Sequence, residues 1–200
     1  MKYFSGRFDR AMQAELLAEL RRIITEAPLF TPTMPRSGNP MSVRITNCGP
    51  LGWVTDKELG YRYQATHPVT GKAWPPMPKR LLDLWEDVAG YPAPPEACLV
   101  NYYAGVAKMG LHQDKDEEDF AAPVVSVSLG DTGIFRVGGR LRKDATRTIE
   151  LRSGDVVVLG GGDRLAYHGI DRILPGTSHL LAEGGRFNLT LRRVTRPSLT

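Results

Sequence analysis

The chain contains two segments in which apolar residues repeat at helical spacing. The first, DRAMQAELLAELRRIITEAP, has Asp9 in a position to cap its start and Pro28 in a position to end it. The second, PKRLLDLWEDVAGY, has Pro78 where a first helical turn tolerates proline and Gly90 where helices often stop. The pattern therefore predicts two amphipathic helices before residue 95.

Beyond residue 95 the pattern changes to short β-rich runs separated by turns. The runs are ACLVNYYA, PVVSVSLG, GIFRVGG, RTIEL, DVVVLG, RLAYHGI and RFNLTLRRV. Short strands at this spacing are typical of an antiparallel sandwich or barrel. We therefore predict an α+β protein that is mainly β, in which two N-terminal helices buttress an all-β body.

A long segment rich in Gly and Pro separates the two predicted helices. Its sequence, RSGNPMSVRITNCGPLGWVTDKELGYRYQATHP, mixes strand-like pieces with several turn signals. Loops of this length inside a compact domain are often binding elements or lids. We predict a single domain over residues 1–200, with the helices and a lid at about residues 34–66 in residues 1–95, and the β body in residues 96–194.

Alternation along two strands indicates where polar side chains point. In RFNLTLR, Arg186, Asn188 and Arg192 share one face and the apolar residues share the other. In LVNYYA, Asn101 and Tyr103 share a face. Both faces suit a polar pocket inside a barrel, and both also suit half-exposed strands with their polar residues in solvent. Alternation alone leaves these two interpretations open.

The composition limits the classes of protein that this chain can form. Its 200 residues, 42% hydrophobic and 24% charged, suffice for one sizeable core. The net charge of +4 favours a polyanionic partner. Cys48 and Cys98 are too few for a disulfide framework, and the chain shows neither a signal peptide nor an apolar run of bilayer length. These features predict a cytoplasmic protein with no membrane partner.

The stretch LHQDKDEEDF places a histidine two residues before a carboxylate. In an extended segment, His112 and Asp114 leave the backbone on the same side and can converge on one ion. His168 in RLAYHGI is the predicted third ligand, whereas His67 and His179 lie in turns that we expect to be exposed. Two imidazoles and one carboxylate form the facial triad of non-haem Fe(II) oxygenases. A surface histidine beside a solvated acidic loop explains the same residues, so the pattern alone does not decide.

Other metal and nucleotide motifs fit the sequence poorly. DKDEED begins like a calcium-binding loop, but Asp119 stands where the loop requires Gly and Val125 stands where it requires Glu. GGGDR lacks the Gly-Lys-Ser/Thr of a phosphate-binding loop, and the sequence contains no H-E-x-x-H zinc helix. The sequence therefore excludes an EF-hand and leaves the His-x-Asp pair as the leading metal motif.

The order of these features along the chain is more specific than any one of them. NYYAGVAKMGLHQDKDE, PVVSVSLG, GDVVVLGGGDRLAYHGI and RFNLTLR together resemble the AlkB family of Fe(II)- and 2-oxoglutarate-dependent dioxygenases, especially its bacterial DNA-repair members. The resemblance extends upstream through MSVRITNCGPLGW and ends near Arg193, so it covers most of the chain beyond Met41. It implies a double-stranded β-helix, or jelly-roll, whose interior holds the site.

The resemblance also implies a metal centre and a co-substrate site. Fe(II) would be held by His112, Asp114 and His168, with 2-oxoglutarate and dioxygen as co-substrates. Arg186 and Arg192 would neutralise the carboxylates of 2-oxoglutarate, because a guanidinium fork matches a carboxylate. Which arginine faces which carboxylate stays open. Further hydrogen bonds to the co-substrate would come from Asn101, Tyr103 and Asn188.

The substrate implied by the resemblance is an N-alkylated base in single- or double-stranded DNA, with RNA as an open alternative. N1-methyladenine and N3-methylcytosine would lose their methyl group as formaldehyde, while 2-oxoglutarate is converted to succinate and CO2. The base would be flipped out of the stack, which is easiest for lesions that already break pairing. This would be direct-reversal DNA repair. We expect the protein to be a monomer.

Several residues are expected to contact that substrate. The base would stack between Trp53 and the ring of His112 with Tyr61 nearby, and Asp116 would accept a hydrogen bond from its exocyclic amine. Weaker pocket candidates are Met41, Ile45 and Ser126. Phosphates would be followed by basic residues of RVGGRLRKDATR, a sequence-neutral contribution to binding, namely Arg136, Arg140, Arg142, Lys143 and Arg147.

Two alternatives stay open from the sequence. A 2-oxoglutarate oxygenase that acts on a protein or a small molecule would keep the iron and co-substrate residues but would not need Trp53 or Asp116. A non-catalytic, cupin-like metal-binding module would need neither Arg186 nor Arg192, because it has no dicarboxylate to hold. Turnover of 2-oxoglutarate distinguishes these alternatives.

Overall fold

The computed structural model describes residues 1–197, which form two α-helices, one short 3-10 helix and twelve strands. The helices are α1 (Arg10–Glu26) and α2 (Lys79–Val88), and the 3-10 helix spans Gly161–Asp163. The strands are β1 (Lys2–Phe4), β2 (Arg44–Cys48), β3 (Gly52–Asp56), β4 (Gly60–Gln64), β5 (Ala97–Tyr103), β6 (Met109–His112), β7 (Val124–Gly130), β8 (Thr132–Val137), β9 (Arg147–Leu151), β10 (Val156–Leu159), β11 (His168–Leu174) and β12 (Arg186–Arg192).

Ten of these strands form two facing antiparallel sheets. The larger sheet has the order β1-β10-β7-β12-β5-β2, and the smaller sheet has the order β6-β11-β8-β9. The remaining strands, β3 and β4, form a separate hairpin. This arrangement is the predicted jelly-roll, so the expected fold class is confirmed.

Residues on the strands of the larger sheet alternate between two environments. On β12, Phe187, Leu189 and Leu191 lie in one apolar cluster with residues of α1 and α2, including Leu20 and Trp85. Residues one position along each strand face the smaller sheet instead, and the apolar ones among them form a second cluster. Burying a leucine side chain stabilises a fold by about 1.5–3 kcal/mol, so each leucine of the helix-side cluster contributes on that order to stability.

The two helices begin and end where the sequence predicts. The carboxylate of Asp9 accepts a hydrogen bond from the Met12 amide at 2.8 Å, which caps the start of α1. Pro78 directly precedes α2, and Gly90 follows its end with a φ of 59°, a backbone angle that favours glycine. No helix formed by residues 1–197 is long and apolar enough to cross a membrane.

The segment RLAYHGI is shorter as a strand than its composition predicts. The amides of Arg164 and Ala166 bond to the carbonyls of Gly161 and Asp163, so consecutive tight turns keep these residues out of the sheet. Strand β11 therefore begins at His168. The short strands β1 and β6 have too few residues to show an alternating pattern, and the sequence did not predict them.

The prediction of an exposed His67 is wrong. The side chain is 2% exposed because the THPVTGK turn folds over it. Its Nδ1 accepts hydrogen bonds from the amides of Val69 and Thr70 at 3.1 and 3.2 Å, and its Nε2 donates to the Pro28 carbonyl at 2.8 Å. A ring that satisfies both nitrogens within the protein can be buried. His179 is exposed, as expected.

Candidate metal and co-substrate site

A cavity of about 820 Å³ lies between the two sheets. Its walls come from the polar face of the larger sheet, from the facing residues of β8 and β11, and from the β3–β4 hairpin. Apart from Arg186, all the residues predicted to hold the metal, the co-substrate or the base line this cavity. Of the basic residues predicted to follow phosphates, Arg142 lines it, whereas Arg136, Arg140, Lys143 and Arg147 do not. The structure thus brings together residues that lie up to 151 positions apart in the chain, from Met41 to Arg192.

The three predicted metal ligands converge at one point of this cavity. His112 ends β6 and His168 begins β11, and the two residues are paired directly across the strands. Asp114 follows in the adjoining loop, and one ligand atom from each residue lies within 4.8 Å of the others. Asp114 is 3.8 Å from Nε2 of His112 and 3.7 Å from Nε2 of His168, measured from different carboxylate oxygens.

Backbone carbonyls orient both imidazole rings. Nδ1 of His112 lies 2.9 Å from the Gly110 carbonyl, and Nδ1 of His168 lies 2.9 Å from the Ala166 carbonyl. A carbonyl can only accept, so Nδ1 carries the proton in each ring and Nε2 presents its lone pair to the centre. Gly169 allows this pairing, because a Cβ there would meet the Met109 carbonyl oxygen at 2.4 Å.

The electrostatics of the centre keep His168 and Asp114 in the protonation states that a metal ligand needs. Burial lowers the pKa of His168 to about 4, so the ring is neutral at pH 7. Burial opposes ionisation of Asp114, but Arg192, His168 and His112 together outweigh it, and the pKa of this carboxyl falls below its ordinary value. The other oxygen of Asp114, Oδ2, is buried without a hydrogen-bond partner among residues 1–197. Two imidazoles and a carboxylate with a free oxygen fit Fe(II).

Arg186 is a buried cation without a carboxylate partner. Its side chain is 0% exposed and bonds only to neutral groups among residues 1–197, namely the Ser128 hydroxyl at 2.7 Å and the carbonyls of Leu151 and Asp131. Its Nε has no partner. Burial lowers the pKa of Arg186 to about 10, which still leaves it charged at pH 7. A buried charge of this kind calls for an anion.

Arg192, in contrast, is already paired at the metal centre. Its Nη2 donates to Asp114 Oδ1 at 2.9 Å, and its Nε lies 3.4 Å from Glu117. Its Nη1 is buried without a hydrogen-bond partner among the described residues. The side-chain oxygen Oδ1 of Asn101 is buried without one as well. Asn188 donates to the Ser126 hydroxyl at 2.7 Å. These groups form a polar wall between the two arginines along β12 and its neighbouring strands.

The β3–β4 hairpin places three aromatic rings at the cavity, two of which, Trp53 and Tyr61, form a stacked pair. Trp53 and Tyr61 stack with ring centroids 5.6 Å apart and planes inclined by 23°. The indole Nε1 of Trp53 donates to Asp116 at 2.9 Å, so the hairpin is tied to the loop that carries Asp114. Met41 also lines the cavity. The predicted substrate residues therefore lie close together, although their roles stay predictions.

Two of the basic residues predicted to follow phosphates, Arg142 in the β8–β9 loop and Arg136 on β8, make different contacts. Arg142 lines the cavity, donates to the Leu111 carbonyl at 2.8 Å and lies over the ring of Tyr167. Arg136 instead forms a two-bond ion pair with Asp171 at 2.7 and 2.9 Å. Because its charge is already compensated there, Arg136 is a poor candidate for a phosphate contact.

Sequence reasoning missed two sets of cavity residues. The exposed cations Arg36, Lys108 and Lys115 also line the cavity, and only their charge could have suggested them. A second set, Tyr63 and Glu117, lines the cavity beside the metal centre, and Glu117 accepts hydrogen bonds from Tyr63 and from the buried Arg164. The acidic run KDEED contains one buried carboxylate, Glu117, but nothing in its composition distinguishes this residue from its exposed neighbours.

Comparisons with known proteins agree with this geometry. The family model described as the 2OG-Fe(II) oxygenase superfamily matches residues 1–192. The alpha-ketoglutarate-dependent dioxygenase AlkB homolog of Caulobacter vibrioides is 52% identical over 188 residues, 94% of this chain and 84% of the relative. The alpha-ketoglutarate-dependent dioxygenase AlkB of Escherichia coli is 44% identical over 191 residues, 94% of this chain and 87% of the relative.

A solved structure shows the same fold. The structure of OsALKBH1 superimposes with a TM-score of 0.81 at 30% sequence identity, covering 96% of this chain and 97% of the other. Together with a family match over nearly the whole chain and relatives at 44–52% identity, this confirms the resemblance that the motifs indicate. The chain belongs to the 2OG-Fe(II) oxygenase superfamily, as an AlkB-like dioxygenase that uses Fe(II) and 2-oxoglutarate.

Proposed function

We propose that this dioxygenase demethylates N1-methyladenine and N3-methylcytosine in DNA and thereby repairs alkylated bases by direct reversal. The observation that carries the proposal is the pairing of a metal-ligand triad with a stacked Trp53–Tyr61 pair across one cavity. Aromatic rings bind the flat faces of bases, and enzymes that act on bases extrude them into such pockets. The AlkB-like motifs support the same chemistry.

We infer that His112, Asp114 and His168 hold the metal, because their free lone pairs converge. When bound, Fe(II) with 2-oxoglutarate and dioxygen supplies the two-electron oxidation of an N-methyl group, which then leaves as formaldehyde while 2-oxoglutarate becomes succinate and CO2. The protein's part is to orient the reactants. The Nδ1 bonds of the two histidines keep their rings fixed before the metal arrives.

The two arginines receive different roles in this proposal. Arg192 contacts Asp114, so it lies beside the metal and would bind the carboxylate of 2-oxoglutarate nearest to it. Arg186 has no counterion among residues 1–197 and is shielded from solvent, so it would bind the remote carboxylate. Asn101 and Asn188 would hydrogen-bond the co-substrate between them, with the hydroxyl of Tyr103, since burial raises the Tyr103 pKa to about 12 and keeps its proton in place.

The cavity mouth provides a site for the extruded base. The base would lie between Trp53 and the part-exposed ring of His112, with Tyr61 behind Trp53. Asp116 is exposed and already accepts from Trp53, which leaves acceptor capacity for an exocyclic amine and places negative charge near a cationic methylated base. Met41 and Ser126 would form the walls of this pocket.

Cations around the mouth would bind the phosphates on either side of the base. Arg36, Lys108, Lys115 and Arg142 are exposed and line the cavity. Such contacts are independent of sequence and weaken with added salt. They serve both single- and double-stranded DNA, and they would also admit RNA. We further propose that residues 34–66, which contain the hairpin, act as a lid over the bound base.

We also propose that the protein works as a monomer in the cytoplasm. Its exposed apolar side chains are scattered, and two of them, Met34 and Tyr61, line the cavity. Cys48 and Cys98 are both free and buried, which fits a reducing compartment.

The test of this function is the release of formaldehyde and succinate from a single-stranded DNA oligonucleotide that carries N1-methyladenine, with Fe(II), ascorbate and 2-oxoglutarate. We expect both products in equal amounts from the natural protein, neither from His112→Ala, and little formaldehyde from Asp116→Ala. An RNA oligonucleotide and a duplex are assayed in parallel. Succinate without formaldehyde on every nucleic acid would refute the proposal and favour a protein or small-molecule substrate.

A further inference from the structure

One buried carboxylate beside the metal centre joins three parts of the molecule. The side chain of Glu117 is 2% exposed. Its Oε1 accepts a hydrogen bond from the Tyr63 hydroxyl at 2.5 Å and lies 3.4 Å from Nε of Arg192. Its Oε2 accepts from Nη2 of Arg164 at 2.9 Å. Glu117 therefore links the β3–β4 hairpin, strand β12 and the residue that follows the 3-10 helix.

Arg164 fixes the shape of the loop that contains Glu117. This guanidinium, 2% exposed, donates to the carbonyl of Asp114 at 2.6 Å and to the carbonyl of Ala122 at 2.7 Å, in addition to Glu117. It also lies 5.4 Å from the ring centroid of Phe120. Residues 113–123 contain neither helix nor strand, so these contacts supply the order that a regular element would give. The metal ligand Asp114 takes its position from this loop.

The hairpin touches the same loop at two neighbouring residues. Trp53 donates to the exposed Asp116, and Tyr63, its partner across the hairpin, donates to the buried Glu117. The exposed bond competes with water, and a base that approaches Trp53 would disturb it. The bond to Glu117 is part-buried and ends on a carboxylate that is 2% exposed, so water competes with it less. Hydrogen bonds to a charged acceptor are also the stronger kind.

We propose that Glu117 is a positioning residue, which couples the seating of the β3–β4 hairpin, through the Tyr63 hydroxyl, to the placement of Asp114 and Arg192 at the metal centre. The hairpin carries Trp53 and Tyr61, so its seating sets the position of a bound base relative to the metal. A base held in register is oxidised; a base held loosely lets 2-oxoglutarate be consumed without product. Glu117 thus determines how tightly the two reactions stay coupled.

The inference rests on the proposed function for its substrate, and its test separates the two. Tyr63→Phe removes the hydroxyl and keeps the ring. The matched control is Tyr91→Phe, because the Tyr91 hydroxyl donates to Asp119 at 2.8 Å in the same loop but lies outside the hairpin. Each protein is assayed for formaldehyde formed per succinate on the methylated DNA oligonucleotide, and for amide hydrogen exchange without metal.

We expect Tyr63→Phe to lower the formaldehyde-to-succinate ratio by about tenfold or more, the effect of one hydrogen bond to a charged acceptor. Succinate formation without DNA should stay within about twofold of the natural protein, as expected when the metal and co-substrate contacts are intact. Amides of Gly52–Asp56 and Gly60–Gln64 should exchange faster, while those of β5 and β12 should not. Tyr91→Phe should change none of these quantities.

A second variant tests the role of the charge. Glu117→Gln keeps an oxygen that can accept from Tyr63 but removes the charge that faces Arg164 and Arg192, so the ratio should fall further and the loop 113–123 should also exchange faster. An unchanged ratio and unchanged hairpin exchange in Tyr63→Phe would overturn the inference, and so would equal effects of Tyr63→Phe and Tyr91→Phe. If the natural protein forms no formaldehyde, the proposed function fails, and the exchange measurement still decides whether Glu117 holds the hairpin.

Discussion

The two faces of the larger sheet differ in how completely their buried side chains find packing or hydrogen-bond partners within the protein. On the helix side, Leu189 is 1% exposed and lies in one apolar cluster with both helices. On the cavity side, the buried atoms Asn101 Oδ1, Arg186 Nε and Arg192 Nη1 have no hydrogen-bond partner among residues 1–197. The same strands therefore carry fully packed apolar side chains on one face, and on the other buried polar atoms without hydrogen-bond partners in the described part of the chain.

This difference separates stability from function at the level of single residues. A buried polar group left without a partner costs about 1–3 kcal/mol, so such groups are rare in proteins unless a ligand completes them. The cavity face holds several together, around one metal-ligand triad. Neighbouring residues on a strand consequently differ in environment. Asn188 lines the cavity, whereas Leu189 packs in the core.

Arg186→Met should reduce the difference between the two faces most strongly. It replaces a buried cation on the cavity face with an apolar side chain like those on the helix side. Without its cation, the protein should bind 2-oxoglutarate with a KM raised by about 100-fold, as expected when one partner of a buried charge pair is lost. The metal-free protein should become more stable by about 1–3 kcal/mol, since an uncompensated buried charge is removed. Initial rates of succinate formation and urea unfolding measure the two effects.

The control for this prediction is Arg186→Lys, which keeps the charge but not the fork. It should recover part of the affinity for 2-oxoglutarate and none of the added stability. A large loss of stability in Arg186→Met would show that Arg186 belongs to the packing of the fold rather than to the co-substrate site.

Leu189→Ala tests the opposite face of the same strand. Removing a side chain that is 1% exposed should lower the free energy of unfolding by about 2–5 kcal/mol, through lost burial and the cavity left behind. The KM for 2-oxoglutarate of the protein that remains folded should not change. Urea unfolding and the succinate assay at a temperature below the transition check both statements, and a raised KM would mean that the two faces are mechanically linked.

Sequence reasoning predicted the parts of the molecule that depend on local pattern. Apolar spacing and the caps at Asp9 and Gly90 gave both helices, and alternation in RFNLTLR placed the two arginines on one face. The resemblance then connected His112, Asp114 and His168, which the structure brings within 4.8 Å of one another. These predictions succeeded because each depends on neighbours in the chain or on a motif.

The residues that sequence reasoning missed depend on contacts between distant segments. Glu117 is buried because Tyr63 and Arg164, 54 and 47 positions away, both donate to it. His67 is buried because the Pro28 carbonyl, 39 positions away, accepts from its ring. Neither burial can be read from the residues on either side, since an acidic run and a Pro-Gly turn are ordinarily exposed.

The smallest of the predicted effects is a pH dependence of the free energy of unfolding, which arises from His168 on the cavity face. Burial lowers the pKa of His168 to about 4 from an ordinary value of 6.5. Between these values the unfolded chain binds a proton that the folded, metal-free protein does not, so stability is lost as the pH falls. From pH 7 to pH 5 this group should lower the free energy of unfolding by about 2 kcal/mol.

His168→Gln removes this titration and should make the metal-free protein less sensitive to pH by the same amount. Urea unfolding at pH 7 and pH 5 in the presence of a chelator measures the difference. His179→Gln, on an exposed turn, serves as the control and should keep the full pH dependence. Leu189→Ala should also keep it, because its lost packing energy does not involve a proton. Equal pH dependence in His168→Gln and the natural protein would show that water reaches the cavity face well enough to protonate His168 freely. The two faces would then differ in shape rather than in charge.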